Sequence, residues 1–263
     1  IRRRAIEYGV EDVNLRSRIS PGNDRHRVAR TNLASAKTDM AFLLADQGKY
    51  GEAEYFARQA VNDWIEFFGF AAVQLSSAIR AVGWSRLQQQ DFDGAVRFYS
   101  QALEVLGKAN LIPSALHIAS ARANLASAYV AMGRSDNALR VFTQRAEALR
   151  GAQGSNPIRV ENPTWALALA KSGDPNEAVS MASELIATAL QRERLSQDPF
   201  LLAQARGVLG IALMRLSQEE KSLEAFRLAL PVLIAPAEES GEDQGFWRGF
   251  WRRSEEHTSE LQS

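Results

Sequence analysis

Apolar residues recur along most of this chain at steps of three and four positions. Phe98, Tyr99, Ala102 and Leu103 show the spacing, which places apolar side chains on one face of an α-helix and polar ones on the other. No segment alternates with a period of two for long enough to predict a β-strand. The pattern therefore predicts an all-α protein.

The helical pattern occurs five times. Each repeat begins with a large residue followed by a small one, and another small residue stands twelve positions later. The small residues, in pairs, are Ala41 and Ala53, Gly83 and Ala95, Ala126 and Ala138, Ala166 and Ala178, and Gly210 and Ser222. A turn lies between them, marked by Gly48, Gly133 and Gly173. Small residues let antiparallel helices approach closely, and glycine ends a helix in a left-handed cap, so each repeat is predicted to be a helical hairpin.

Prolines are predicted to lie between hairpins rather than inside helices. Pro113, Pro157, Pro163 and Pro199 stand between the repeated segments, and Pro175 lies in the short turn of the fourth hairpin. This distribution fits the hairpin prediction because proline lacks the N–H group that a helix interior requires.

The second repeat carries Gly83, Phe92, Ala95, Tyr99 and Ala102, and these positions resemble those of the tetratricopeptide repeat. The first and third repeats match nearly as well, and the fourth matches least. The resemblance extends over about residues 33 to 235. It implies a tetratricopeptide-like α-solenoid of about five helical hairpins.

The repeat period departs from the standard one. The later small residues are spaced by 42, 43, 40 and 44 positions, against about 34 in the common tetratricopeptide unit. HEAT and armadillo units, at roughly 40 to 47 residues, are the rival interpretation. We favour tetratricopeptides because the small-residue positions match and the additional residues fall between hairpins. Long repeats of this kind resemble those of kinesin light chains and of bacterial proteins with a CHAT protease domain.

Composition narrows the function classes. The 31 basic and 31 acidic residues cancel, whereas nucleic-acid binding normally needs a basic surplus, so no nucleic-acid partner is expected. The chain has no cysteine, which fits a reducing, cytoplasmic compartment. No apolar run approaches the roughly 20 residues that span a bilayer, so no membrane partner is expected. Because Ile1 replaces the usual Met, we expect that the true N-terminus is missing, which leaves a lost signal peptide open.

The chain divides into four predicted parts. Residues 1–32 form an N-terminal segment of helix and loop, and residues 33–237 form the repeat array. Residues 238–252 are an acidic loop followed by the start of a capping or linking helix. Residues 253–263, RSEEHTSELQS, break the apolar rhythm, and their back-translation resembles a widely used sequencing-library adapter. We therefore expect the natural protein to continue beyond about Arg252, and we interpret His257 as non-native.

No constellation predicts catalysis. His26 and His117 have no companion at metal-ligand spacing and are interpreted as ordinary surface or packing residues. Gly151 and Gly154 match no phosphate-binding loop, and the carboxylates are scattered among basic residues as on solvated helix faces. We expect no enzyme activity in this chain, no cofactor and no metal. Whether a peptidase domain follows downstream stays an open question.

The resemblance implies a concave partner-binding surface along the first helices of the hairpins. The implied residues are Phe42, Ala45, Trp84, Leu87, Ser127, Val130, Leu167, Ala170, Ile211 and Met214, with Arg80 sharing the surface. The alternative is that these side chains pack against the neighbouring repeat, as most apolar helix residues do. The basic-and-asparagine clamp that some family members use for a peptide carboxylate is missing.

The segment GFWRGFW places Phe246, Trp247, Phe250 and Trp251 on one predicted helical face. Two interpretations stand. The segment is a capping helix on the last repeat, or it is a docking helix for a domain that follows.

The sequence thus predicts a protein–protein interaction scaffold with a protein or peptide partner. Because EAFRLALPVLIAPAEESGEDQGFWRGFW resembles the end of the repeats in bacterial CHAT proteins, we expect a regulatory region. It would precede a caspase-like protease domain, and that domain would itself be a candidate partner. The alternatives are a self-standing adaptor and, more remotely, an α-helical toroid enzyme. The sequence does not determine the oligomeric state.

Overall fold

The computed structural model describes residues 24–70, 72–109, 115–153, 162–193 and 199–235, together with Glu11 and Trp251. All regular secondary structure in these ranges is α-helical. The helices are α1 (Asp24–Asp46), α2 (Tyr50–Phe68), α3 (Leu75–Gln88), α4 (Phe92–Lys108), α5 (Ala115–Ala131), α6 (Ser135–Gln153), α7 (Pro163–Ser172), α8 (Pro175–Glu193), α9 (Pro199–Arg215) and α10 (Glu219–Leu233). The all-α prediction is confirmed.

Several predicted features lie outside the described residues. They are residues 1–23 apart from Glu11, the acidic loop, Phe246, Trp247, Phe250 and the adapter-like residues 253–263.

Odd-numbered helices are the first helices of the hairpins, called A helices here, and even-numbered helices are the B helices. α1 packs on α2, α3 on α4, α7 on α8 and α9 on α10. The chain forms two compact units, residues 1–125 and residues 126–263. The hairpin prediction therefore matches the observed order of elements.

In the second and fifth hairpins, the small residue of the A helix lies in close contact with the B helix. A Cβ atom added to Gly83 would lie 2.6 Å from Cε1 of Tyr99, and one added to Gly210 would lie 2.9 Å from Cε1 of Phe226. The partner position Ala95 is fully buried, and Ser222 is almost so. A larger side chain at these positions would separate the A helix from the B helix.

The turns between A and B helices differ from the prediction at one place. Gly48 and Gly133 both have φ +73°, in the left-handed region, as predicted. Gln90 (φ 63°) and Ser217 (φ 57°) take the same region in the second and fifth hairpins. The prediction for Gly173 is wrong, since its φ is −94°. In this turn alone a proline begins the B helix: only two residues separate Ser172 from Pro175, and Pro175 disfavours helical backbone at the second of them, Asp174.

Among the described residues, prolines mark helix starts with one exception; the predicted inter-hairpin prolines at 113 and 157 lie outside them. Pro163, Pro175 and Pro199 each occupy the first position of a helix. The side chain of Asn162 caps α7, because its Oδ1 atom accepts hydrogen bonds from the backbone N–H groups of the two residues that follow Pro163. The expectation that no proline lies inside a helix is wrong for Pro231, which stands in the last turn of α10.

In each unit an arginine near the end of an A helix joins two hairpins. Arg86 Nη2 donates to Glu54 Oε1 at 2.6 Å, and its Nη1 donates to Asp91 Oδ2 at 3.1 Å. Arg215 instead donates to backbone carbonyl oxygens at the end of α7, among them Ala170 at 2.9 Å and Gly173 at 3.0 Å. The first tie involves titratable carboxylates and the second does not.

Candidate functional site

In the first unit, the predicted aromatic residues of the A helices are partly covered by their own neighbours. Trp84 on α3 is half-buried and packs against the cluster that contains Met40 and Leu44 of α1. Phe42 is also half-buried and packs against a cluster that contains Val82. Both side chains therefore contribute to packing between hairpins and retain some exposed surface.

Arg80 lies one turn before Trp84 on α3, and its surroundings are unusual for a cation. The residue is partly buried, its Nε atom is fully enclosed, and no hydrogen bond reaches that atom. Burial lowers the pKa of Arg80, an effect that the nearby Tyr99 opposes. None of the ion pairs within the described ranges includes Arg80. Tyr99 is fully buried, and burial raises its pKa.

Two other predicted positions in this unit present no surface. Leu87 is 0% exposed and Ala45 is 1% exposed. At these positions the packing alternative describes the structure, because a buried side chain cannot contact a partner without rearrangement.

In the second unit the predicted positions also fall into two groups. Val130, Leu167 and Ala170 are buried. Ser127 and Ile211 are half-buried, and Met214 is 46% exposed on α9. The surface role of the exposed members stays a prediction.

Trp251 is the described member of the aromatic segment, and it is buried on the last hairpin. A Cβ atom added to Gly207 of α9 would lie 2.7 Å from Cη2 of Trp251 and 3.1 Å from Cδ1 of Leu233. The indole therefore lies in contact with the bare backbone of α9 and beside the end of α10. This contact is the one expected of a capping segment, while the docking role of Phe246, Trp247 and Phe250 stays a prediction.

The structure also contains a groove that the sequence analysis did not identify. It lies in the first unit, lined by α2, α3, α4 and the loop after α2, and it encloses about 540 Å³. Its lining includes Val61 and Ile65 on α2 and Val105 on α4. The four-residue spacing of Val61 and Ile65 on a B helix was the available sequence signal.

Two features are absent from the described residues. In those ranges no three His, Cys, Asp or Glu side chains are grouped so that they could hold a metal ion. No helix among them is both long and apolar enough to cross a membrane. His117 is half-buried on α5, and the His26 side chain lies outside the description.

Comparison with known proteins agrees with the hairpin geometry. Models of the tetratricopeptide repeat match residues 32–108 and residues 121–156. These two stretches carry tetratricopeptide repeats. Such repeats are typical of protein–protein interaction scaffolds and are typically not catalytic.

Two solved structures show the same fold. The crystal structure of BtubC (BKLC) from P. vanneervenii superposes with a TM-score of 0.65 at 18% identity, covering 88% of this chain and 90% of that one. Nearly identical TPR-like repeats of a putative kinesin light chain from Podosopora anserina superpose with a TM-score of 0.55 at 17% identity, covering 77% and 95%. No curated protein sequence matches the chain. At these identities the similarity concerns the fold alone.

Proposed function

We propose that this chain is a protein–protein interaction scaffold that binds a segment of a partner protein through Arg80, Trp84 and Phe42. The observation that carries the proposal is Arg80, a partly buried cation with no carboxylate partner among the described residues. Removing a charge from water costs free energy unless an opposite charge is supplied. A carboxylate on the partner would supply it.

Trp84 completes this arrangement. It lies four residues after Arg80 and therefore on the same side of α3. Tryptophan and arginine are the side chains most enriched among residues that dominate binding energy at interfaces. The proposed ligand is a segment that combines an acidic residue with an apolar one.

The test is peptide display on the immobilised full chain. We expect selected peptides to be enriched in Asp or Glu, and Arg80→Gln to weaken their binding by about tenfold because a charge-assisted hydrogen bond is lost. Trp84→Ala should weaken it by a similar factor or more. Arg134→Gln, at an exposed arginine, is the matched control.

Peptides whose affinity is unaffected by both Arg80→Gln and Trp84→Ala would contradict this site. Binding that falls equally in Arg134→Gln would show only a general charge effect.

A finer proposal is that the scaffold regulates a caspase-like domain encoded after it. It is supported by the resemblance of the segment from Glu224 to Trp251 to the repeat ends of bacterial CHAT proteins. The test is to sequence the source DNA across the Arg252 codon with adapters trimmed. A downstream sheet-forming domain with a His and a Cys in caspase-like contexts supports regulation of a protease. A stop codon soon after Trp251 supports a self-standing adaptor.

A further inference from the structure

The groove in the first unit is a second surface, separate from the Arg80–Trp84 stripe. Its floor is formed by Leu75, Ile79 and Val82 of α3, which recur at four- and three-residue steps. Arg80 and Trp84 form another stripe on the same helix. Because one residue step rotates the chain by about 100°, the two stripes point in different directions.

The walls of the groove come from the two B helices. α2 contributes the segment from Arg58 to Ile65, and α4 contributes the segment from Phe98 to Lys108. At a rise of 1.5 Å per residue these segments are about 10 and 15 Å long, or two to three helical turns. The groove thus has the length of a short helix.

The interior of the groove is apolar, and one end is open and aromatic. Leu75 and Val82 are almost fully buried, while Val61, Ile65 and Val105 are half-buried. Phe70, in the loop after α2, is 71% exposed and also lines the groove. An exposed aromatic side chain beside a half-buried aliphatic surface is the arrangement found at binding grooves.

The charged side chains at the rim are already neutralised. Arg58 Nη2 donates to Glu54 Oε1 at 2.7 Å, one turn earlier on α2. Lys108 pairs with Glu104 in the same way on α4. The remaining rim residues Asn62 and Gln101 are exposed and uncharged. The rim therefore offers no unbalanced charge to attract a charged ligand.

We infer that this groove binds an amphipathic helix of a partner protein, which inserts a face of uncharged aliphatic or aromatic side chains. The length of the walls fits two to three turns, the floor is apolar, and the neutral rim selects against charge at the inserted face. This site does not depend on the Arg80–Trp84 proposal.

The experiment uses the full chain with isotopically labelled Ile and Val methyl groups. The probe is an amidated peptide of about 14 residues, roughly four helical turns. It carries Leu at positions i, i+3, i+4 and i+7 and Ala or Gln elsewhere. We expect saturable shifts of the methyl resonances of Val61, Ile65, Ile79 and Val105. A second peptide, with Glu at the two central Leu positions, should cause none.

The variant is Phe70→Ser, which changes an exposed side chain and leaves the core intact. It should weaken binding by roughly tenfold, since a phenyl ring that the partner covers would be lost. Tyr55→Ser is the matched control, because Tyr55 is 59% exposed on α2 but does not line the groove.

Four results would overturn the inference. The first is that the methyl resonances do not respond to the peptide, and the second is that Tyr55→Ser weakens binding as much as Phe70→Ser. The third is that a fatty acid such as decanoate shifts the methyl resonances while the peptide does not, and the fourth is that the shifts occur only when the chain self-associates. If the peptide perturbs only the Trp84 indole, this inference fails while the Arg80–Trp84 site survives.

Discussion

The second and fifth hairpins bring two helices together in the same way but differ in their polar groups. In both, a glycine of the A helix lies under an aromatic ring of the B helix: Gly83 under Tyr99 and Gly210 under Phe226. Tyr99 adds a fully buried hydroxyl group, which Phe226 lacks. The fifth hairpin instead uses Ser222, whose Oγ donates to the Gly210 carbonyl oxygen at 2.8 Å. The close approach of the two helices requires a small residue in both hairpins, whereas the polar groups around that residue differ between them.

A second difference lies three residues before each glycine. In the second hairpin this residue is Arg80, a cation without a carboxylate partner among the described residues. In the fifth hairpin it is Gly207, against which Trp251 packs. The same position is therefore a candidate contact for a partner in one hairpin and is occupied by the chain itself in the other.

The largest effect is expected at the Gly207 position, which Trp251 covers. Trp251→Ala should lower the free energy of unfolding of the second unit by about 3 kcal/mol, because a large buried side chain leaves a cavity. Hydrogen exchange of α9 and α10 during urea unfolding measures it. Gly207→Ala should be destabilising in the natural chain and close to neutral in the Trp251→Ala background. Unchanged protection of α9 and α10 in Trp251→Ala would contradict the packing.

The next prediction concerns the helix crossing of the second hairpin. Ala95→Leu should cost about 2 kcal/mol, because Ala95 is fully buried and a larger side chain forces α3 and α4 apart. Ser100→Leu, at an exposed position of α4, is the control. A melting temperature that is the same for Ala95→Leu and the natural chain would refute the repeat register.

The arginine ties predict different responses to acid. Burial by itself would raise the pKa of Glu54, but hydrogen bonds from Arg58 and Arg86 outweigh it, so the pKa is below the ordinary 4.5. A lowered folded-state pKa means that Glu54 stabilises the fold above the unfolded-state pKa and loses this effect as pH falls through the folded-state value. We expect a loss of about 1 kcal/mol in α2–α4 below about pH 4.5.

Pulse-labelling hydrogen exchange at a fixed labelling pH, after incubation at pH 7 and at pH 3.5, measures this loss. Glu54→Gln should remove that part of the pH dependence. The Arg215 tie to backbone carbonyl oxygens should not weaken, because these groups do not titrate in this range. Equal acid sensitivity of the natural chain and Glu54→Gln would show that the Arg86 tie is not responsible.

The smallest effect is expected at Ser222. Ser222→Ala removes one hydrogen bond but places alanine where the other four hairpins already have it, so the cost should stay below about 1 kcal/mol. Urea unfolding monitored at α10 measures it. A cost of more than about 2 kcal/mol would mean that the Gly210 carbonyl depends on this donor.

The repeat positions were predictable from sequence because close helix packing admits few side chains. The conformation of Gly173 was not predictable in this way. Glycine stands at the same repeat position in the first and third hairpins, but here Pro175 follows two residues later and the turn is different. Pro231 also departs from the expectation that prolines lie between hairpins: it stands in the last turn of α10, where it removes one backbone hydrogen bond just before the helix ends.

The candidate sites were predictable only in part. The repeat register placed Arg80 and Trp84 on one stripe of α3. It could not show that Leu87 of the same stripe is fully buried, because burial depends on the neighbouring hairpin. Nor could it show the groove, because its shape depends on how three consecutive helices and a loop pack together.

The all-α class, the hairpin repeat and the small residues at the helix crossings follow from the amino-acid order, because helical periodicity and close approach are local constraints. The packing of the folded chain sets which apolar residues remain exposed, leaves Arg80 without a carboxylate partner within the described ranges, and places Trp251 on Gly207. These properties depend on side chains from distant segments, and the packing of those segments sets the desolvation of each group.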